Sequence, residues 1–214
     1  TDDSMPKYLN SKDSKFFNKT RELYGFNNAK KDHKTEDFIV TEGYMDVVML
    51  SEYGINNAVA SLGTAFSQNH MNLMFKLRRK ITFCFDSDEA GLKAAWRALQ
   101  ISLKNVVDDK TVRFLFLPEG YDPDSFVKEN GEKEFYKKLD RAMVLESFAF
   151  QYLKRGKKLD SPEDIRQIIF EFKKILPLVT SEMLKETLMT KFSSELNINK
   201  EIFLKEDKPE KKTY

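Results

Sequence analysis

Three short acidic segments each stand where an apolar, strand-like run of residues stops. The runs are FIV (38–40), ITFCF (81–85) and TVRFLFL (111–117). In an open parallel α/β sheet, ligands bind beyond the carboxyl ends of the strands. If the runs are neighbouring strands, their acids converge on one edge of the sheet. These acids are Glu42 and Asp46, Asp86 and Asp88, and Asp122 and Asp124.

The runs alternate with stretches of helical character, which defines the fold class. A further run, AVASL (58–62), predicts another strand, and helices are predicted at about 44–53, 67–79 and 89–104. Alternating strands and helices with short connections predict an α/β fold with a parallel sheet flanked by helices. From about residue 131 we expect helices and no further strands. Those helices are predicted at about 132–141, 143–154, 162–176 and 180–196.

We divide the chain into four parts. A polar, lysine-rich N-terminal segment (1–37) precedes an α/β domain (38–130), which is followed by an all-helical subdomain (131–204) and a charged tail or linker (205–214). A length of 214 residues, with 41% hydrophobic residues, allows one large or two small domains. The chain begins without an initiator methionine, so we expect it to be part of a longer protein.

Composition limits the classes of function. No apolar run approaches the roughly 20 residues that span a bilayer, so we expect no membrane segment. The single cysteine, Cys84, cannot form an internal disulfide, which fits a reducing cytoplasm. One cysteine and two histidines exclude a Cys/His zinc cluster within this chain. The net charge of +2 does not by itself indicate a nucleic-acid partner.

The acidic segments favour a metal site. Like charges crowded together are unfavourable unless a cation neutralises them, and hard oxygen ligands suit Mg²⁺ or Mn²⁺. Asp86 and Asp88 point the same way if the strand end is extended, so they could share one cation.

Each acid also has a structural interpretation, which the sequence leaves open. Glu42 could be a solvated strand-end residue, and Asp46 could be a first-turn acid that favours the helix dipole. Asp88 could cap the helix that follows it. Asp122 and Asp124 lie among proline and glycine residues, where turn chemistry and helix capping are ordinary.

The N-terminal segment mixes basic and aromatic residues, a combination that can contact phosphates and stack on bases. Nearby acids dilute its charge, so it could equally be a solvated face. The two histidines carry no motif, and we expect His70 to lie on the surface of its helix. The residues concerned are Lys7, Lys12, Lys15, Lys19 and Arg21 with Tyr8, Phe16, Phe17 and Tyr24.

The acidic segments EGYMD (42–46), DSDEAG (86–91) and DPD (122–124) resemble the motifs of the Toprim domain. Bacterial primases, type IA and type II topoisomerases and some nucleases share that domain. Further segments resemble one branch, the bacterial replicative (DnaG-type) primases, in the Toprim half of their RNA polymerase core. These segments are PKYLNS (6–11), KTRELYG (19–25), YGINNAVASLGTAFS (53–67), AAWRAL (94–99) and FLPEGYDPDSFV (116–127).

The resemblance implies a DNA-directed RNA polymerase that uses ribonucleoside triphosphates to make short RNA primers on a single-stranded DNA template. It implies a Toprim-type sheet, Mg²⁺ or Mn²⁺ as cofactor, and a cytoplasmic location at the replication fork in the nucleoid. The implied catalytic acids are Glu42, Asp86 and Asp88, with Asp46, Asp122 and Asp124 completing the metal ligands. The implied nucleotide- and template-binding residues are Lys7, Tyr8, Asn10 and Lys19.

Other parts of such primases are expected outside this sequence. They are the zinc-binding domain, the first part of the polymerase core, and the domain that docks on the replicative helicase. Thr20 stands where many relatives have glycine, which could alter a loop but leaves Lys19 in place. The alternatives are a Toprim nuclease or topoisomerase fragment, which would cleave DNA, and a non-catalytic nucleic-acid-binding module.

Overall fold

The computed structural model describes residues 18–33 and 35–205. Its centre is one mixed sheet of six strands in the order β1-β3-β2-β4-β5-β6. The four inner strands run parallel, whereas β1 pairs antiparallel with β3 and β6 pairs antiparallel with β5. The strands are β1 (Leu23–Tyr24), β2 (Asp37–Thr41), β3 (Ala58–Ser61), β4 (Lys80–Phe85), β5 (Thr111–Phe116) and β6 (Met143–Val144).

Helices connect the strands and follow them. The α-helices are α1 (Phe26–Ala29), α2 (Tyr44–Glu52), α3 (Gln68–Phe75), α4 (Glu89–Asn105), α5 (Pro123–Asp140), α6 (Leu145–Lys154), α7 (Pro162–Ile175) and α8 (Glu182–Leu196). Short 3₁₀ helices cover Leu176–Leu178 and Lys200–Phe203. Within the described ranges, no helix combines the length and apolar character that crossing a membrane requires.

Both faces of the sheet are buried, which explains why its inner strands are almost continuously apolar. Along β4, Phe83 and Phe85 pack toward α3, α4 and α6, while Cys84 packs toward α2 and α5. The same alternation in β5 places Phe114 on the first face and Leu115 on the second. The α/β layers predicted from the sequence are therefore confirmed.

The helices after residue 131 extend the core of the sheet. Phe148 of α6 stacks on Phe114 of β5, with ring centroids 4.4 Å apart. Farther out, Phe172 of α7 stacks on Phe192 of α8 at 3.8 Å. The division at residue 130 stays a prediction, but α6 and the sheet share one hydrophobic cluster.

Two details differ from the sequence analysis. The expectation that no strand follows residue 131 was wrong, because Met143–Val144 pairs with β5. Two residues carry too little pattern to be recognised as a strand. The helix expected at 67–79 ends at Phe75, and a short turn then leads into β4.

The order of the strands creates a switch point between β2 and β4. From β2 the chain moves to β3 on one side and then returns to β4 on the other. In open α/β sheets, ligands bind at such a point, beyond the carboxyl ends of the strands. The residues at this switch point are those that come directly after Thr41, at the end of β2, and after Phe85, at the end of β4.

Candidate active site

Glu42 and Asp86 follow directly on β2 and β4, on either side of the switch point. The backbone nitrogen of Asp86 donates a hydrogen bond to Oε1 of Glu42 at 3.3 Å. Although Glu42 stays exposed at the sheet edge, surrounding chain removes part of the water from its carboxylate and raises its pKa. The charges of Asp86 and Asp88 raise that pKa further.

Asp46 lies in the first turn of α2 and serves two purposes. Its Oδ2 atom accepts a hydrogen bond from the backbone nitrogen of Gly43 at 3.1 Å, so the structural role left open by the sequence is real. Burial raises its pKa to about 6, with further contributions from the charges of Asp122, Asp86 and Glu42. Asp46 is therefore both a helix-start residue and a member of the acidic cluster.

The pKa of Asp86 is raised as well, first by burial and then by the charges of Asp122 and Asp88. All three acidic segments thus act on one another electrostatically. The structure brings together Glu42, Asp46, Asp86, Asp88 and Asp122.

Asp88 and Asp122 cap the helices that follow them. Oδ1 of Asp88 accepts from the backbone nitrogen of Gly91 at 2.7 Å, and Oδ1 of Asp122 accepts from the backbone nitrogen of Ser125 at 2.7 Å. The capping interpretation holds for both acids. A carboxylate offers about four acceptor positions on its two oxygens, so capping does not exclude a cation.

Asp124 lies one position after Pro123, in the first turn of α5. Its Oδ1 atom is buried and has no hydrogen-bond partner. An unpaired buried carboxylate oxygen is costly unless a cation or another donor satisfies it. This atom is thus a point at which a positively charged group would be stabilising.

Gly91 permits the close approach of α4 to the strand ends. A Cβ atom on Gly91 would lie 2.3 Å from the carbonyl oxygen of Asp86 and 3.0 Å from Oε1 of Glu42. Sequence reasoning assigned roles to the acids of DSDEAG and none to its glycine. The glycine is the residue that lets these acids sit beside one another.

A cavity of about 670 Å³ opens beside the acids. Ligand pockets of roughly 300–1,000 Å³ suit molecules of nucleotide size. Glu119 was not predicted from the sequence and adds a further carboxylate to the wall. The lining residues are Asp86, Ser87, Asp88, Glu119, Gly120, Tyr121 and Asp122.

The acids have the chemistry that a hard divalent cation requires, but their side chains are not already arranged around a single metal position. In the part of the chain that the structure describes, no group of three or more His, Cys, Asp or Glu side chains is arranged to hold a metal ion. Mg²⁺ usually keeps several waters and is bound through one or two carboxylates together with substrate phosphates. The all-oxygen donor set and the raised pKa values of Glu42, Asp46 and Asp86 fit a site of that kind.

Of the predicted nucleotide-binding residues, Lys7, Tyr8 and Asn10 lie outside the described residues, and Lys19 lies within them. The backbone carbonyl of Lys19 accepts hydrogen bonds from Oγ1 of Thr64 at 3.4 Å and from Nε2 of His70 at 3.0 Å. Oγ of Ser67 donates to the carbonyl of Thr20 at 2.7 Å. The loop before α3 and the start of α3 therefore hold residues 19–20 in place.

The expectation that His70 lies on the surface was wrong, because its side chain is fully buried. Its Nδ1 atom accepts from the backbone nitrogen of Ser67 at 3.2 Å. With Nε2 facing the Lys19 carbonyl, these partners require a neutral ring that carries its proton on Nε2. Burial lowers the pKa of His70, which favours the same neutral form.

Comparisons with known proteins identify the family and the fold. A family model described as Toprim-like matches residues 39–127. The DNA primase of Pseudomonas aeruginosa is 51% identical over 153 residues, which are 71% of this chain and 23% of that protein. This chain therefore corresponds to about a quarter of that relative's length.

Solved structures give the same result. A crystal structure of a DNA primase domain from Pseudomonas aeruginosa matches with a TM-score of 0.87 and 40% identity, covering 95% of this chain and 64% of that chain. A DnaG primase catalytic domain bound to ssDNA matches with a TM-score of 0.82 and 38% identity, covering 91% and 63%. The chain belongs to the DnaG-type bacterial DNA primase family, of which it carries the Toprim-like domain and the helices that follow.

Proposed function

We propose that this chain is part of a primase, a DNA-directed RNA polymerase that makes short RNA primers on single-stranded DNA for replication. The observation that carries the proposal is the convergence of Glu42, Asp46 and Asp86 at the switch point of the sheet, where burial and then neighbouring carboxylates raise the pKa of each. Such an edge gains stability when it binds a cation. Because the chain corresponds to a fraction of its relatives, the activity belongs to the longer protein.

The acids have distinct roles in this proposal. Glu42, Asp86 and Asp88 are the core ligands of Mg²⁺ or Mn²⁺, and Asp46, Asp122 and Asp124 complete the set. The bound cation would lower the pKa of the attacking 3′-hydroxyl and stabilise the pyrophosphate that leaves. Burial raises the pKa of Glu42 and so makes its carboxylate a better proton acceptor; the proposal keeps both roles open for it, general base and metal ligand.

The template and nucleotide would approach from the N-terminal side. Lys19 neutralises phosphate charge, with its backbone fixed by Thr64 and His70. Lys7, Tyr8 and Asn10 are proposed to act with it. The related domain solved with ssDNA supports a DNA template for this chain. Ribonucleoside triphosphates are the proposed substrates, and a replicative helicase would be engaged through another domain at the replication fork, in the bacterial cytoplasm.

The test is a calorimetric titration of the chain with Mn²⁺, with and without ATP, repeated on Asp86→Asn. Asp109→Asn is a matched control, because Asp109 is an exposed acid at the opposite end of the sheet. We expect Mn²⁺ binding that strengthens with ATP, disappears in Asp86→Asn and persists in Asp109→Asn. Equal binding in all three proteins would refute the site.

A second measurement separates polymerase from nuclease. In the full-length protein, Asp86→Asn or Asp88→Asn should abolish primer synthesis. The melting temperature of the domain should stay close to that of the wild type. Synthesis near the wild-type rate in both variants would contradict the catalytic assignment. Metal-dependent nicking of DNA by the unchanged protein would instead indicate a Toprim nuclease or topoisomerase.

A further inference from the structure

The turn between α6 and α7 concentrates positive charge. Lys154, Arg155, Lys157 and Lys158 surround Gly156, and we call this segment the basic turn (154–158). Gly156 has a φ of +69°, a conformation that favours glycine and allows the chain to reverse sharply. Arg155 and Lys158 are exposed.

Packing between α4 and α6 places the basic turn at the acidic edge of the sheet, which is the edge that carries Glu42, Asp86 and Asp88. The rings of Trp96 and Tyr152 stack with centroids 4.2 Å apart and an interplanar angle of 7°. Nearer the edge, Nη2 of Arg155 lies 3.0 Å from Oε2 of Glu89. From Trp96 back to Glu89 the contacts move toward the start of α4, while from Tyr152 to Arg155 they move toward the end of α6. The two helices are therefore antiparallel. Because Glu89 follows Asp88, the end of α6 lies beside the acids.

Two of the four cations already have structural partners. Arg155 pairs with Glu89, and the ammonium of Lys157 donates to the carbonyl of Leu153 at 2.8 Å, which caps α6. Lys158 uses its backbone nitrogen, and not its ammonium, to donate to Oδ2 of Asp164 at 2.9 Å.

Two ammonium groups remain available for a ligand. Among the salt bridges between described residues, none includes Lys154 or Lys158. The ammonium of Lys154 is 6.0 Å from the ring centroid of Phe150, at the outer limit of a cation–π contact. The acids nearest in sequence are Asp160, Glu163 and Asp164, of which Asp164 is engaged with the Lys158 backbone.

We infer that the basic turn, through Lys154 and Lys158, binds phosphate groups of a nucleic-acid strand that crosses the acidic edge. A strand that reaches cation-bridged carboxylates at this edge would also meet two ammonium groups that form no salt bridge with another described residue. Lysine contacts to phosphate supply most of the sequence-independent affinity for nucleic acid. This inference rests on the proposed function, because that function brings a nucleic-acid strand to this edge.

A purely structural explanation makes different predictions. Cations in the last turn of a helix stabilise it by interaction with the helix dipole. On that explanation, neutralising Lys154 in the last turn of α6 and Lys158 just beyond it would lower thermal stability and leave the affinity for nucleic acid unchanged. A phosphate site instead predicts a loss of affinity that depends on salt.

The test uses amide NMR spectra of the chain, titrated with an oligothymidylate of about 16 nucleotides and separately with ATP. The amide of Gly156 reports on the basic turn. The variant is Lys154→Gln/Lys158→Gln. The control, Lys76→Gln/Lys104→Gln, makes the same charge change on exposed lysines at the distal ends of α3 and α4.

We expect the Gly156 signal to shift with the oligonucleotide in the wild type and the control, but not in the variant. Affinity at about 50 mM NaCl should fall roughly three- to tenfold in the variant, and the salt slope should decrease by about 0.7 per lost single-strand contact. A shift with ATP alone would also support a phosphate site, with the nucleotide as the phosphate source.

The outcomes separate this inference from the proposed function. If the Gly156 signal does not move with either ligand while Mn²⁺ still binds the acids, the basic-turn site is refuted and the metal site stands. If Gly156 moves but Mn²⁺ does not bind, the metal site fails and the phosphate site stands. Equal affinity of the variant and the control would also refute the basic-turn site.

Discussion

Oε1 of Glu42 accepts a hydrogen bond from the backbone nitrogen of Asp86, a residue 44 positions later in the chain. The contact joins the end of β2 to the end of β4 across the switch point of the sheet. Glu42 thus holds two acidic segments together, although burial and the charges of Asp86 and Asp88 disfavour its ionised form.

Glu42→Gln should separate these two roles. Glutamine keeps an oxygen that can accept from Asp86, so the melting temperature should change little. The loss of a negative ligand should weaken Mn²⁺ binding at least about tenfold, roughly 1.4 kcal/mol. Calorimetry measures the affinity and Glu52→Gln, an exposed acid at the end of α2, is the control. Unchanged affinity would remove Glu42 from the metal site.

Asp46→Asn should stabilise the protein at pH 8 in the absence of divalent metal. The pKa of Asp46 is raised to about 6, so its ionised form destabilises the folded state at a pH above that value. A shift of about two pKa units, at 1.36 kcal/mol per unit, sets an upper limit of about 3 kcal/mol. Solvent screening of this partly exposed carboxylate reduces that figure, so we expect the free energy of unfolding to rise by about 1–2 kcal/mol. Denaturant titration measures this gain.

Saturating Mg²⁺ should reduce the gain from Asp46→Asn, since a bound cation favours the ionised carboxylate of the wild type. A variant that is less stable than the wild type under both conditions would show that the carboxylate's bond to Gly43 matters more than its burial and the charge repulsion around it.

Gly91→Ala should destabilise the protein and disturb the acidic edge. The added Cβ would lie 2.3 Å from the Asp86 carbonyl, a backbone atom that cannot move alone. We expect a loss of about 2 kcal/mol or more, from overpacking against backbone. Gly120→Ala is the comparison, because nothing lies within 4 Å of its Cβ and only its φ of +86° opposes alanine. Equal losses in both variants would contradict the crowding argument.

Stability should fall as the pH decreases through 6.5, and His70 should be responsible for part of the loss. The pKa of His70 is lowered by burial, so between the folded and unfolded pKa values the unfolded state binds more protons. The contribution of the neutral His70 ring to the free energy of unfolding is therefore complete above pH 6.5 and is lost as the pH falls below that value. Urea unfolding between pH 8 and pH 5 measures the slope.

His70→Gln should flatten this slope, because glutamine can donate to the Lys19 carbonyl without titrating. His33→Gln serves as the control, since His33 is exposed. If both variants keep the wild-type slope, the loss at low pH arises elsewhere in the chain.

The acidic edge could be predicted because each apolar run stops at carboxylates, and parallel strands end at the same edge. The burial of His70 could not, because a single polar residue on an otherwise amphipathic helix carries no period. Its partner is the carbonyl of Lys19, which lies 51 positions away and has no sequence signature. For Asp46 the sequence could not decide between a structural and a metal-binding role. The same side chain bonds the backbone of Gly43 and interacts electrostatically with the other acids.

The pairing of β1 and β6 with the sheet could not be predicted from the sequence either, because a strand of two residues is too short to show an alternating pattern. Both lie outside the Toprim-like match at 39–127, yet they cover β3 and β5. A protein trimmed to the matched range would expose the N–H and C=O groups of two edge strands, which template pairing between molecules. We therefore expect such a trimmed protein to aggregate, even with all six acids intact.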